Sequence, residues 1–200
     1  MVSERLSEEQ LVLAADELAA QVAADPRCAR LTDVLVARGG STVRHHSSGP
    51  AVPRDLFSVT KTVLALMVGV AAGDRLVGTH VDVAHFLPEL AGPGVARRTV
   101  AHLLTMRRGA QTGGRYDLDE VAVHGGSWAA RFAEAPEVEE PGTRFRYDNG
   151  ASQLLAEVLH RVTGDLAAYA ERRLFEPLGS PTGAGFGTPR GRRPAPGTWR

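Results

Sequence analysis

The unbroken apolar run from Val63 to Ala72 limits the fold more than any other stretch of this chain. It is about half the length that a membrane span requires, so it has to be buried by the rest of the protein. From Ser58 to Ala72 the residues are apolar on almost every side, and Gly73 follows as a helix-ending residue. The pattern predicts a helix over 58–72 at the centre of a domain. At its mouth stands Phe57-Ser58-Val59-Thr60-Lys61. Positions i and i+3 share a helix face, which puts the Ser58 hydroxyl within reach of the Lys61 amine.

Lys61 is the only lysine in a chain with 22 arginines, and Asn149, in Tyr147-Asp148-Asn149, is the only asparagine. With no isoleucine either, the composition is that of a gene poor in A/T-rich codons, which favours arginine wherever a cation only has to face water. A lysine kept against that bias points to chemistry a guanidinium cannot do, since an amine can shed its charge and accept a proton. A serine at the start of a helix has an opening N–H available to an oxyanion, and the helix dipole favours negative charge there. A serine nucleophile with an amine base therefore fits Ser58 and Lys61.

Two hundred residues, 43% hydrophobic, with 23 basic and 23 acidic side chains, describe a globular chain of one domain or slightly more. The charges are interspersed. Arg97-Arg98 and Arg107-Arg108 flank helices and read as solvated faces, so no nucleic-acid partner is expected. The N-terminal segment is acidic and has no export signal, which predicts a cytoplasmic location and no membrane association. Cys28 stands alone, and His45-His46 and His102 lack metal-ligand spacing, so neither a metal nor a cofactor is expected.

Ser7 with Gln10 forms a capping-box pattern, and Leu11, Ala15, Leu18 and Val22 predict a first helix ending before Pro26. Residues 33–38, Gly39-Gly40 and 41–44 predict a hairpin. Shorter helices follow over 83–87, over 100–106 after a Thr99 cap, and over 128–133 after a Ser127 cap. Two stronger ones cover 151–162 and 166–175, separated by Thr163-Gly164-Asp165. After Gly179 the sequence is mostly Gly, Pro, Arg, Ala and Thr, and residues 180–200 are expected to form a disordered tail. That composition suggests a frame-shifted or prematurely ended translation of a G/C-rich gene.

Competing motifs fail. Lys61-Thr62 ends like a phosphate-binding loop, but the required glycine is replaced by Thr60. Gly125-Gly126-Ser127-Trp128-Ala129 misses the last glycine of a nucleophile elbow.

The chain resembles the serine β-lactamase and penicillin-binding protein superfamily, especially the branch of class C β-lactamases, esterases and nylon-oligomer hydrolases. The resemblance spans about 31–179. It rests on Phe57-Ser58-Val59-Thr60-Lys61, Gly73-Asp74-Arg75-Leu76, Phe86-Leu87-Pro88-Glu89-Leu90, Thr99 to Met106 with Gly109, Pro141 to Gly150, and Leu174 to Gly179. It implies an α+β fold, a β-lactamase-like (DD-peptidase-like) helical subdomain with a truncated antiparallel sheet, over 1–179. It implies Ser58 as the acylated nucleophile, Lys61 as its base, Tyr147 as the phenol that passes the proton on, and Asn149 as a substrate-binding amide. A small-molecule ester, amide or β-lactam would be the substrate. For Asp148-Asn149-Gly150 a capping turn is the competing explanation.

A third superfamily motif, Lys or His followed by Thr or Ser and then Gly, on a strand downstream of Tyr-x-Asn, is missing; Thr182-Gly183 follows a proline and is not counted. In the family that strand supplies the second oxyanion-hole N–H. The expectation is a domain that is C-terminally incomplete, with activity impaired. The uncovered face of its two-stranded sheet would stay exposed unless a partner associates through it. The alternative is a non-catalytic remnant that binds a ligand or partner.

Overall fold

The computed structural model describes residues 6–49, 56–90, 92–124 and 126–180. The expected tail over 181–200 lies outside the described residues. The chain divides into two units, Met1–Arg54 and Asp55–Arg200. Helix α1, Glu8–Ala24, opens the first. Its capping box is closed by the Gln10 N–H on Ser7 Oγ at 3.1 Å and the Ser7 N–H on Gln10 Oε1 at 2.7 Å. Strands β1, Asp33–Arg38, and β2, Ser41–Ser47, pair antiparallel. The turn between them uses Gly39 and Gly40 at φ 62° and 82°, as a two-residue hairpin of matching twist demands. β2 runs further than the sequence pattern suggested. Opposite Val36 and Ala37 it carries Val43 as an extra residue, a bulge that shifts the alternation of its faces. Helix α1 packs on β2, and Asp16 pairs with Arg44 and His46 across that contact. Leu35, on the other face, is 60% exposed.

The second unit holds α2 (Thr60–Gly73), α3 (Val83–Phe86), α4 (Val100–Leu104), α5 (Leu118–His124), α6 (Trp128–Ala133), α7 (Asn149–Thr163) and α8 (Leu166–Ala170). The architecture is α+β, rich in helix with one small antiparallel sheet. Its core is built around α7. Ala151, Leu154, Leu155, Val158 and Leu159 recur at helical spacing and are buried, and α2, α3, α4, α6 and α8 all pack on this helix. Asp148 caps its start by accepting the Ala151 N–H. Gly164, at φ 79°, ends it.

Several expectations are corrected. Helix α2 is not enclosed at the centre. Leu64, Met67, Val68 and Ala71 form its buried face, whereas Leu66 is 52% exposed, because α7 covers one side only. Gly73 is the last helical residue of α2, and the left-handed position after it belongs to Arg75 at φ 62°. The Leu76 N–H to Ala71 O and Arg75 N–H to Ala72 O bonds complete the closure there. Helix α5 was not anticipated, and α8 gives way to a wider turn over Glu171–Phe175 rather than continuing. The two arginine pairs are the largest departure. Arg98 and Arg108 are both buried, 1% exposed, because each finds backbone carbonyls inside the fold and a carboxylate, the surface Glu137 for Arg98 and the buried Asp148 for Arg108.

Candidate active site

Ser58 lies in a short 3-10 turn, Phe57–Val59, that runs directly into α2. Phe57 just before it is held at φ 46°, a left-handed conformation unfavourable for a side chain of this size. The turn presents Ser58 outward at the helix start. The Ser58 side chain is exposed, and Lys61, one turn further on, is half-buried. Its Nζ donates to Ser58 Oγ at 3.2 Å, so the i, i+3 spacing puts the two groups together.

Tyr147 arrives from 89 residues away, on the segment that leads into α7. Its hydroxyl lies 2.6 Å from Ser58 Oγ. Lys61 Nζ is also 5.0 Å from the centre of the Tyr147 ring. Hydrogen bonding with Lys61, then with Ser58, holds the Tyr147 phenol below its ordinary range, and the Lys61 charge acts in the same direction. Three groups separated by 3 and 89 positions in sequence thus share one hydrogen-bonded cluster.

Asn149, the first residue of α7, borders a cleft of about 440 Å³ beside Ser58 and Lys61. Leu64, Leu118, Trp128 and Ala156 supply apolar wall. All four sequence-predicted residues therefore converge: Ser58, Lys61 and Tyr147 bond in series, and Ser58, Lys61 and Asn149 border one cavity. The capping explanation for this turn is also realised, but by Asp148, which leaves the Asn149 side chain to the cleft.

What sequence reasoning missed lies directly beneath. Arg108 donates through Nε and Nη2 to the two carboxylate oxygens of Asp148 at 2.7 and 3.1 Å, and both side chains are buried. The one signal available was an acidic residue wedged between two site residues. Its cation, 40 positions away, could not be read from the sequence. Ser127, the residue tested as a nucleophile elbow, caps α6. His102 accepts the Thr99 N–H through Nδ1 at 3.2 Å and completes the cap of α4. Among the described residues no cluster of metal-ligating side chains occurs, and no helix is long and apolar enough to cross a membrane.

The Beta-lactamase family matches residues 20–199, and the chain belongs to that family. No curated protein matches. Among solved structures, the chain is similar to EstA from Arthrobacter nitroguajacolicus Rue61a, at 26% identity and TM-score 0.63, with 90% of this chain and 49% of that one covered. It shares its fold with a penicillin-binding protein homologue from Caulobacter crescentus, at 20% identity and TM-score 0.65, over 95% of this chain and 57% of that one. It also shares it with EstCE1, a hydrolase with promiscuous acyltransferase activity, at 23% identity and TM-score 0.64, over 84% and 53%. The chain spans about half the length of these relatives.

Proposed function

We propose that this chain carries the acylating centre of a serine hydrolase, with Ser58 as nucleophile. The observation behind it is the single hydrogen-bonded set formed by Ser58, Lys61 and Tyr147. Ser58 Oγ attacks the carbonyl carbon of an ester, amide or β-lactam, and its proton passes to the Tyr147 oxygen; Lys61, the base by family resemblance, acts in this reading through its charge, which stabilises the Tyr147 phenolate. The carbonyl oxygen becomes an oxyanion at the start of α2, where opening N–H groups and the helix dipole favour negative charge. Tyr147 returns the proton to the leaving group, an acyl-Ser58 ester remains, and water then attacks that ester with Tyr147 as base. Asn149, at the rim, is placed to hold a substrate carbonyl or amide.

The apolar cleft wall favours a substrate with an apolar acyl group over a highly charged one. Activated esters, whose leaving groups need little help from a proton donor, are the substrates of choice for a test. The expected result is hydrolysis of p-nitrophenyl butyrate by the chain and background rates for Ser58→Ala. Equal rates for both would leave a ligand-binding protein as the better reading.

A further inference from the structure

We infer that Arg108 and Asp148 form a positioning pair that keeps the Tyr147 hydroxyl in register with Ser58; the inference rests on the reading of Ser58 and Tyr147 as reacting groups. Tyr147 is 52% exposed, and its ring lies at the surface rather than in a packed pocket. Its placement therefore comes from its backbone, and the next residue is Asp148. That carboxylate is fixed from two sides. One oxygen accepts the Ala151 N–H at 3.0 Å and the Arg108 Nη2 bond at 3.1 Å, and the other accepts from Arg108 Nε at 2.7 Å.

Arg108 is fixed in turn. Its Nη1 donates to Phe132 O at the end of α6 at 2.7 Å, and its own carbonyl accepts from Arg98 Nε at 2.9 Å. The adjoining Met106 carbonyl accepts the Arg146 N–H at 3.0 Å, so the strip leading to Tyr147 is tied down one residue before it as well. The seat has no slack. A Cβ on Gly150 would fall 2.6 Å from Phe132 Cδ1 and 2.8 Å from Arg108 Nη2. Asp148 stands between Tyr147 and Asn149, so a shift of the carboxylate moves both groups relative to Ser58. A two-pronged guanidinium grip on a buried carboxylate resists such a shift better than a single bond does.

The test uses the full chain in two variants. Arg108→Met with Asp148→Asn removes both charges together and keeps a capping side chain; Arg108→Lys keeps the charge but loses the two-pronged grip. Circular dichroism checks the fold. The Tyr147 phenol is titrated by ultraviolet absorbance and isolated from the other two tyrosines by subtracting Tyr147→Phe, and Ser58 reactivity is timed with a fluorophosphonate, which phosphonylates a nucleophilic serine with loss of fluoride. In the folded double variant we expect Tyr147 to titrate closer to an ordinary phenol and labelling to slow by about tenfold or more, with Arg108→Lys moving both in the same direction. A folded variant in which both stay unchanged would overturn the positioning role, and Arg108→Lys decides the matter if the double variant does not fold. Should the parent chain fail to label at all, the acylation reading falls, and the titration alone still decides whether the pair positions Tyr147.

Discussion

Replacing Asp148 by alanine should strongly destabilise the helical unit. The substitution leaves Arg108, at 0% side-chain exposure, as a buried cation with no carboxylate. Breaking one side of a buried ion pair typically costs about 3–5 kcal/mol. The same substitution removes the cap of α7, worth about 1 kcal/mol more. Set against a total stability of about 5–15 kcal/mol for a domain, that loss is between about a quarter and all of the margin. Urea unfolding followed by circular dichroism measures it, and the expected outcome is a collapsed midpoint or insoluble protein. A further Arg108→Met change in the same chain should restore much of the stability, because the unpaired charge is then gone. An unfolding free energy within about 1 kcal/mol of the parent would mean that water reaches the pair and the site is not anchored as described.

Tyr147→Phe should lower acylation by about a hundred- to ten-thousandfold, the range that one general acid or base supplies. Its pH dependence has a definite sign. A phenol accepts a proton only when ionised, so the rate climbs as pH rises through the Tyr147 pKa. That pKa lies below the ordinary phenol value of about 10, because Lys61 and Ser58 favour the ionised form. The rising limb of kcat/KM for an activated ester therefore falls on the acid side of about pH 10. Lys61→Met removes the principal stabilising group and should shift the limb toward alkaline pH, with a slower rate at neutrality. In Tyr147→Phe the limb disappears. A limb that persists unchanged there assigns proton transfer to another group and removes Tyr147 from the mechanism.

The site was legible in the sequence to the extent that its chemistry depends on rare residues and short spacings. One lysine three residues after a serine, at the mouth of an apolar run, could be placed on one helix face from 3.6-residue periodicity alone. Caps were equally readable, since Ser7, Thr99, Ser127 and Asp165 each sit just before an apolar-periodic segment and each accepts the backbone N–H expected of it. Nonlocal relations were not readable. The apolar run over 63–72 suggested the innermost helix, yet α7, with its more mixed composition, is the helix on which the others pack. Hydrophobicity reports how much surface a helix could bury and not how many neighbours it has. Arg98 and Arg108 show the same limit from the opposite side. Arginine next to a helix is usually solvated, and only the fold reveals that Arg108 meets Asp148 in the interior and that Arg98 reaches Glu137 at the surface from within. The left-handed Arg75 was hidden because glycine is the residue expected there, whereas here an arginine takes the position within the helix-ending hydrogen bonds to Ala71 and Ala72.

In the proposed mechanism Ser58 is the nucleophile. Incubating the chain with a fluorophosphonate, digesting it and locating the adduct by mass spectrometry tests this directly. The account predicts one adduct, on the peptide containing Ser58, absent from Ser58→Ala and slowed in Tyr147→Phe. An adduct on another serine, or none with the fold intact, would contradict it.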